Sequence, residues 1–298
     1  MKIADYEKVS LANSGDTLLL DTPAGTKGIA AKDLGGSLIV HGATPEMHRM
    51  LFRGKNLGSS VTDAQKAAIQ DGSFTDLFVG DYWEIGGVKW RIVDIDYFYM
   101  TGGYDDTDRD TMVKHHLVVM PDTTLYTHKM EETSTTANGY KGCLMRTSGL
   151  NQAKTTIDAA FPGLVLPHEE IMVYCTDFTS TNPSDNGPSD YESAFGCTVE
   201  IPSEIMMYGS LMCGIQNLNS AIRYDKQQFA LFAIQPRFIV AGEAHMNAAG
   251  DGIDDNRPWF WLRDVVSSVY FAYVGCHGAP DFSGAVSAVG VRPYFLLG

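Results

Sequence analysis

Positive charge is scarce in this chain. Lys and Arg number 22 against 36 Asp and Glu, a formal net charge of −14, and no basic stripe is visible along the sequence. Such a balance disfavours phosphate-rich partners: nucleic-acid binders neutralise phosphates with clustered Lys and Arg, and anionic membrane surfaces demand the same. Long apolar runs are missing too. None approaches the roughly 18 residues of a membrane span, and the opening "MKIADYEKVS" lacks the charged-then-apolar layout of a signal peptide. The expectation is a soluble chain made in a cytosol, without membrane insertion. Cysteine is sparse and oddly numbered (Cys143, Cys175, Cys197, Cys213, Cys276), with no CxxC or other metal-like spacing. Buried or incidental thiols are expected in place of a disulfide framework. The chain also has no G-x-S-x-G elbow, Walker loop or G-x-G-x-x-G after a strand, so the common hydrolase, NTPase and dinucleotide signatures are absent.

The 298 residues are 44% hydrophobic and include 14 Phe and 14 Tyr, which suits one large folded domain with a smaller companion. The pattern changes near residue 50. Residues 1–50 read as a small N-terminal segment for attachment or oligomerisation, because "DTLLLDTPAGTKGIAAKDLGGSLIV" offers brief strands and turns with little core of its own. Residues 51–298 are denser. "SSVTDAQKAAIQDG" has Thr62 as N-cap, Gln65 as capping-box partner and Gly72 as stop, predicting a short helix. "VGDYWEIGGVKWRIVDIDYF" alternates about Gly86-Gly87 and predicts a hairpin carrying Trp83 and Trp90. "HHLVVMPD" reads as a strand. Leu150, Ala153, Ile157 and Ala160 fall close to helical spacing, with Ser148 as the cap and Pro162 beyond the end. Residues 176–195, rich in Ser, Thr, Asn, Asp and Pro, have loop composition. "QQFALFAIQP", "PWFWL", "SVYFAYV" and "GVRPYFLLG" then read as strands. The predicted class is α+β, two short helices beside mostly antiparallel strands.

Candidates for chemistry are few. Asp106, Asp108 and Asp110 alternate as in a calcium loop, but Thr111 replaces the turn glycine and Leu117 the closing glutamate, so a solvated acidic loop is the expectation. His115 and His116 are neighbours, which in a strand point to opposite faces and cannot chelate together. His168, Glu169 and Glu170 lack the second histidine of a zinc-protease helix. Cys276 beside His277 has the composition of a nucleophile and its base, yet adjacent residues rarely reach the geometry. No cofactor and no metal site is expected.

A local absence is more telling. Residues 264–290 contain no Lys, Glu, Gln, Met or Trp, the types that NNY codons never encode. Random substitution of the adenines in AAY codons would produce that gap while readily yielding Gly, Cys, His, Asp, Phe, Ser and Val. On either side, Trp259, Trp261, Leu262 and Arg263, then Gly290, Val291, Arg292 and Pro293, read as a packed strand pair whose arginines make internal hydrogen bonds.

"WLRDVVSSVYFAYV…GVRPYFLLG" resembles the variable region, here about residues 259–298, of diversity-generating retroelement target proteins from phages of gut bacteria, relatives of the phage major tropism determinant. "RGKNLGSSVTDAQKAAIQDGSFTDLFVGDYWEIGGVKWRI" and "TTANGYKGCLMRTSGLNQAKTTI" extend the resemblance over residues 51–298. It implies a C-type-lectin-like fold, shared with formylglycine-generating enzymes, whose rigid scaffold displays diversified side chains. It implies variation at Tyr270, Tyr273, Gly275, Cys276, His277, Ala279, Asp281, Phe282, Ser283, Ser287 and Val289. Pro280 and Val286 stand where small constant residues are expected. Tyr270, Tyr273 and Phe282 would be contact anchors and Phe271 and Val274 core.

The function so implied is a non-enzymatic phage adhesin or receptor-binding protein on the virion. Its ligand would be a host cell-surface protein or glycan. Its assembly partners would be other phage structural proteins and copies of itself, such as a trimer. The alternatives are a formylglycine-generating-type oxidase, whose paired cysteines have no match here, and a particle-decoration protein without a ligand.

Overall fold

A computed structural model describes residues 44–101, 112–176, 189–214, 227–242 and 257–298, together with two short strands nearer the N-terminus. The chain divides into two units, residues 1–44 and 45–298. In the first, strands β1 (Thr17–Leu20) and β2 (Lys27–Ala30) pair antiparallel, in keeping with the brief strands expected there. The division falls before Pro45 and not at residue 50, because helix α1 (Pro45–Met50) packs with the second unit. Its His48 is buried against the Leu77 carbonyl, and Arg49 ion-pairs with the buried Asp94 at 2.5 Å.

The second unit is α+β with mostly antiparallel strands. Helix α2 (Asp63–Gln70) carries both halves of the Thr62/Gln65 capping box. Strands β3 (Tyr82–Ile85) and β4 (Val88–Ile95) flank Gly86 and Gly87, whose φ values of 61° and 77° supply the positive dihedrals that a two-residue hairpin turn requires. Strands β5 (Leu117–Pro121) and β6 (Tyr126–His128) follow, then a one-turn helix α3 (Gly139–Gly142). Helix α4 (Asn151–Ala160) buries Ala153 and Ile157. Ser148 does not cap it: a π-turn over Met145–Gly149 leads in, and the Ser148 hydroxyl donates back to the Leu144 carbonyl.

Strands β7 (Val165–Leu166), β8 (His168–Thr176), β9 (Ser189–Cys197) and β10 (Val199–Glu200) come next. The segment expected as loop to residue 195 is thus strand from Ser189 onward, because β9 finds a partner in β8. Helices α5 (Glu204–Tyr208) and α6 (Ala230–Ile234) bring the α-helices to six among the described residues, more than the two expected. The second of these corrects the strand reading of "QQFALFAIQP": a short apolar run is compatible with either element, and here Ala230, Leu231 and Phe232 all bury on one helical turn. The last strands are β11 (Phe260–Val265), β12 (Tyr270–Val274), β13 (Pro280–Gly284), β14 (Val289–Val291) and β15 (Tyr294–Leu297).

One sheet runs β10-β15-β5-β4-β3, with β7 also on β15; the other runs β13-β12-β11-β14-β6. The first packs its aromatics on α4: Phe161 meets Trp90 at 5.7 Å and Phe295 at 5.1 Å between ring centroids. The centre of the second sheet, β11 and β12, is buried on both faces. Phe260, Leu262, Ala272 and Val274 join that main core, while Trp261, Val265, Phe271 and Tyr273 join a second cluster with Tyr140, Met145 and Met172. Period-two alternation sends neighbouring residues of one strand to different cores.

The flanking motifs meet as expected. Strands β11 and β14 pair in parallel, Phe260 opposite Gly290, and the Gly290 amide donates to the Trp259 carbonyl at 3.0 Å. A Cβ on Gly290 would lie 2.4 Å from that same carbonyl oxygen and from Thr124 Cγ2. Gly290→Ala should therefore cost about 1–3 kcal/mol by overpacking against backbone that cannot swing aside. Chemical denaturation of the variant would measure it.

Candidate functional site

Strands β11 and β14 bury their side chains almost completely, and Arg263 on β11 and Arg292 just after β14 do what the sequence suggests. Arg263 donates to the Glu170 carboxylate and to the Tyr294 hydroxyl, the latter at 3.4 Å. Arg292 donates to the carbonyls of Pro121 (2.9 Å), Phe238 (3.1 Å), Ile239 (3.0 Å) and Val240 (3.2 Å). Burial, with Arg91 nearby as a like charge, brings the Arg292 pKa down to about 10. Both residues knit distant segments to the strand pair.

His168 and Glu170 belong to this scaffold. His168 Nε2 donates to Glu170 at 2.6 Å, and Tyr294 donates to the same carboxylate. Burial alone would raise the Glu170 pKa, but the Arg263 charge, followed by the hydrogen bonds from His168 and Tyr294, holds it at about 2. The other histidine pair is structural as well, though it precedes β5 and does not lie within it. His115 Nδ1 contacts Asp96 at 2.7 Å, and His116 Nε2 accepts the Phe98 amide at 3.1 Å. No group of His, Cys, Asp and Glu able to hold a metal occurs among the described residues. Asp106, Asp108 and Asp110 lie outside them.

Between the two fixed strands the chain makes a turn, the edge strand β13 and a second turn. The first turn closes through Gly278 N to Gly275 O and Gly275 N to Ala279 O, both 2.9 Å, with Gly278 at φ 82°. It exposes His277 and Ala279 and leaves Gly275 and Cys276 half-buried. Cys276 and His277 do make contact, Sγ to Nδ1 at 3.0 Å, contrary to the expectation for neighbours. Strand β13 exposes Asp281 and Phe282 on opposite faces, and among the described residues it pairs with β12 alone. Phe282 rests against half-buried Tyr270, ring centroids 5.1 Å apart. In the second turn Ser283 and Ser287 share a hydrogen bond of 3.0 Å and Val286 is exposed.

Two expected surface positions are buried. Tyr273 is only 7% exposed because it shares the parity of Phe271 and faces the second core, where Trp261 meets it edge-on. Its hydroxyl alone reaches outward, donating to Asp281 at 2.9 Å, and burial together with that carboxylate pushes the phenol up to about 12. Val289 is likewise 7% exposed, paired against His128 within the sheet. Conversely, Trp259, expected as packed flank, precedes β11 and is 49% exposed, stacked on Tyr273 at 5.3 Å. The outward set is thus Trp259, His277, Ala279, Asp281, Phe282, Val286 and Ala288, with Tyr270, Gly275, Cys276, Ser283 and Ser287 at its margin. Parity counted from Phe271 was the signal that separates Tyr270 from Tyr273.

No protein-family model, no curated protein and no solved structure matches the chain.

Proposed function

We propose that the chain is a non-enzymatic binding protein whose β12–β13 edge and adjoining turns form a diversified contact surface, carried on a phage particle for attachment to a host cell. One contrast supports this reading. The second part of the compositionally biased segment, from Gly275 to Ala288, makes an exposed edge strand and turns, whereas its first part and the segments bounding it are buried and hydrogen-bonded into the core. A surface that must change without unfolding its host needs that division. The finer assignment, a C-type-lectin-like domain of a retroelement target protein on a virion, rests on the resemblance of the C-terminal motif. Under it, the N-terminal unit docks on other phage structural proteins or on copies of the chain, and the ligand is a host surface protein or glycan.

Thiol oxidation of the formylglycine-generating type works through paired cysteines, and Cys143 and Cys213 are poorly placed for it. Burial pushes Cys143 up to about 12 and Cys213 up to about 11, away from the thiolate form that such chemistry uses. Among the described residues, Cys143, Cys197, Cys213 and Cys276 are all free.

The test is the double variant His277→Ala, Phe282→Ala. Both side chains are exposed, so stability should change by less than about 1 kcal/mol, while binding of the full chain to host cells is lost. Unaltered cell binding, or loss of folding, would refute the assignment of the surface. The neighbouring DNA offers an independent check: a near-copy of the gene's end with adenines at the outward positions, beside a reverse-transcriptase gene.

A further inference from the structure

The net charge of −14 is not spread evenly. A groove of about 680 Å³ beside the first turn is lined by Arg53, Lys89, Arg91, Arg237 and Arg257 with His277 and, among the described residues, by no Asp or Glu. Its remaining walls include Phe52, Tyr82 and Phe238. The cations differ in what they already hold. Arg53 pairs with Asp81 at 2.6 Å and also with Asp76, and Arg91 pairs with Asp122 at 2.5 Å. Arg237 lies over the rings of Phe52 (5.7 Å) and Phe238 (5.0 Å). Neither it nor Arg257 has a carboxylate partner among the described residues, and the buried Arg257 Nε has no hydrogen-bond acceptor there. The wall at 238–240 is fixed by the three carbonyl contacts of Arg292.

We infer that this groove is a fixed binding site for a small carboxylate-bearing sugar. Guanidinium forks match carboxylates bidentately, and a buried donor without an acceptor favours a ligand that supplies one. The volume falls within the roughly 300–1,000 Å³ of small-ligand sites. Guanidinium groups already cover the ring faces, Arg91 lying 4.8 Å from the Tyr82 centroid and 4.6 Å from that of Phe238. The groove therefore offers N–H edges and little bare aromatic surface. That suits a hydroxyl-rich acid better than a nucleobase, and the acidic field of the whole chain opposes a polyanion. The inference deepens the binding reading by naming a ligand class, and Arg237 and Arg257 lie outside the diversified segment.

Isothermal titration of the full chain with D-glucuronate, D-glucose and inorganic phosphate tests it. Glucuronate should bind and glucose should not. Binding should weaken at high NaCl. Arg237→Gln and Arg257→Gln should each weaken it about tenfold with the fold retained, the melting temperature falling by a few degrees at most where Arg237 gives up its ring contacts. No binding of glucuronate, equal binding of glucose, binding of phosphate alone, or variants that bind like the parent would each overturn the assignment. Phe282→Ala should leave glucuronate binding intact, so failure of the groove and failure of the diversified surface give different results.

Discussion

Arg263→Leu is expected to lower stability by about 3–5 kcal/mol, the cost of leaving one member of a buried ion pair uncompensated. Glu170 is 2% exposed and Arg263 4% exposed, so solvent cannot replace the lost guanidinium. The carboxylate would keep only His168 and Tyr294 as donors. Urea denaturation should show the drop, and Arg263→Leu combined with Glu170→Gln should recover part of it, because the neutral amide still accepts from His168 and Tyr294 and leaves no desolvated charge. A double variant no more stable than Arg263→Leu would refute the ion-pair account. The pH dependence has a defined sign. The folded-state pKa of Glu170 is about 2, below the ordinary 4.5, so its contribution is fully present above about 4.5 and lost as pH falls through 2. In Arg263→Leu that acid-side loss should begin at higher pH, since the charge that depresses the pKa is gone.

Tyr273→Ala is expected to cost about 3 kcal/mol, the range for truncating a buried aromatic. The ring sits between Trp259, stacked at 5.3 Å, and Trp261, edge-on at 6.4 Å. Tyr273→Phe should cost no more than about 1 kcal/mol, since it removes one hydrogen bond to the exposed Asp281 and keeps the packing. Thermal or urea melts of the two variants would separate the roles. If alanine were as mild as phenylalanine, Tyr273 would belong to the variable surface after all. The contrast matters for function: a position so costly to truncate tolerates few of the residues that random codon change would deliver, whereas His277 and Phe282 lie open.

Much of the local structure was legible because it depends on neighbours in sequence. The Thr62/Gln65 capping box, the Gly86-Gly87 turn and the Ala153/Ile157 stripe of α4 each follow from hydrogen bonds or spacing within a few residues. The pairing of the Trp261-Leu262-Arg263 and Gly290-Val291-Arg292 segments was legible from their shared density of apolar residues and arginine. Short apolar runs were less informative: the helix at Ala230–Ile234 carries the composition of a strand, and only its packing on β4 and α1 decides. Tyr273 could have been assigned from parity with Phe271, and Trp259 could not, because it lies just outside the strand.

Legible in the residues alone are the class of the fold, the absence of familiar catalytic signatures and the boundaries of the compositionally biased segment. These follow from periodicity, turn chemistry and residue counts, which are properties of contiguous chain. What the tertiary structure alone decided is which residues of that segment face outward, and that five cations of an acidic chain converge on one groove. Exposure of an edge strand depends on its neighbours in the sheet, and Arg53, Lys89, Arg91, Arg237 and Arg257 meet only because the folded backbone brings four separate segments together.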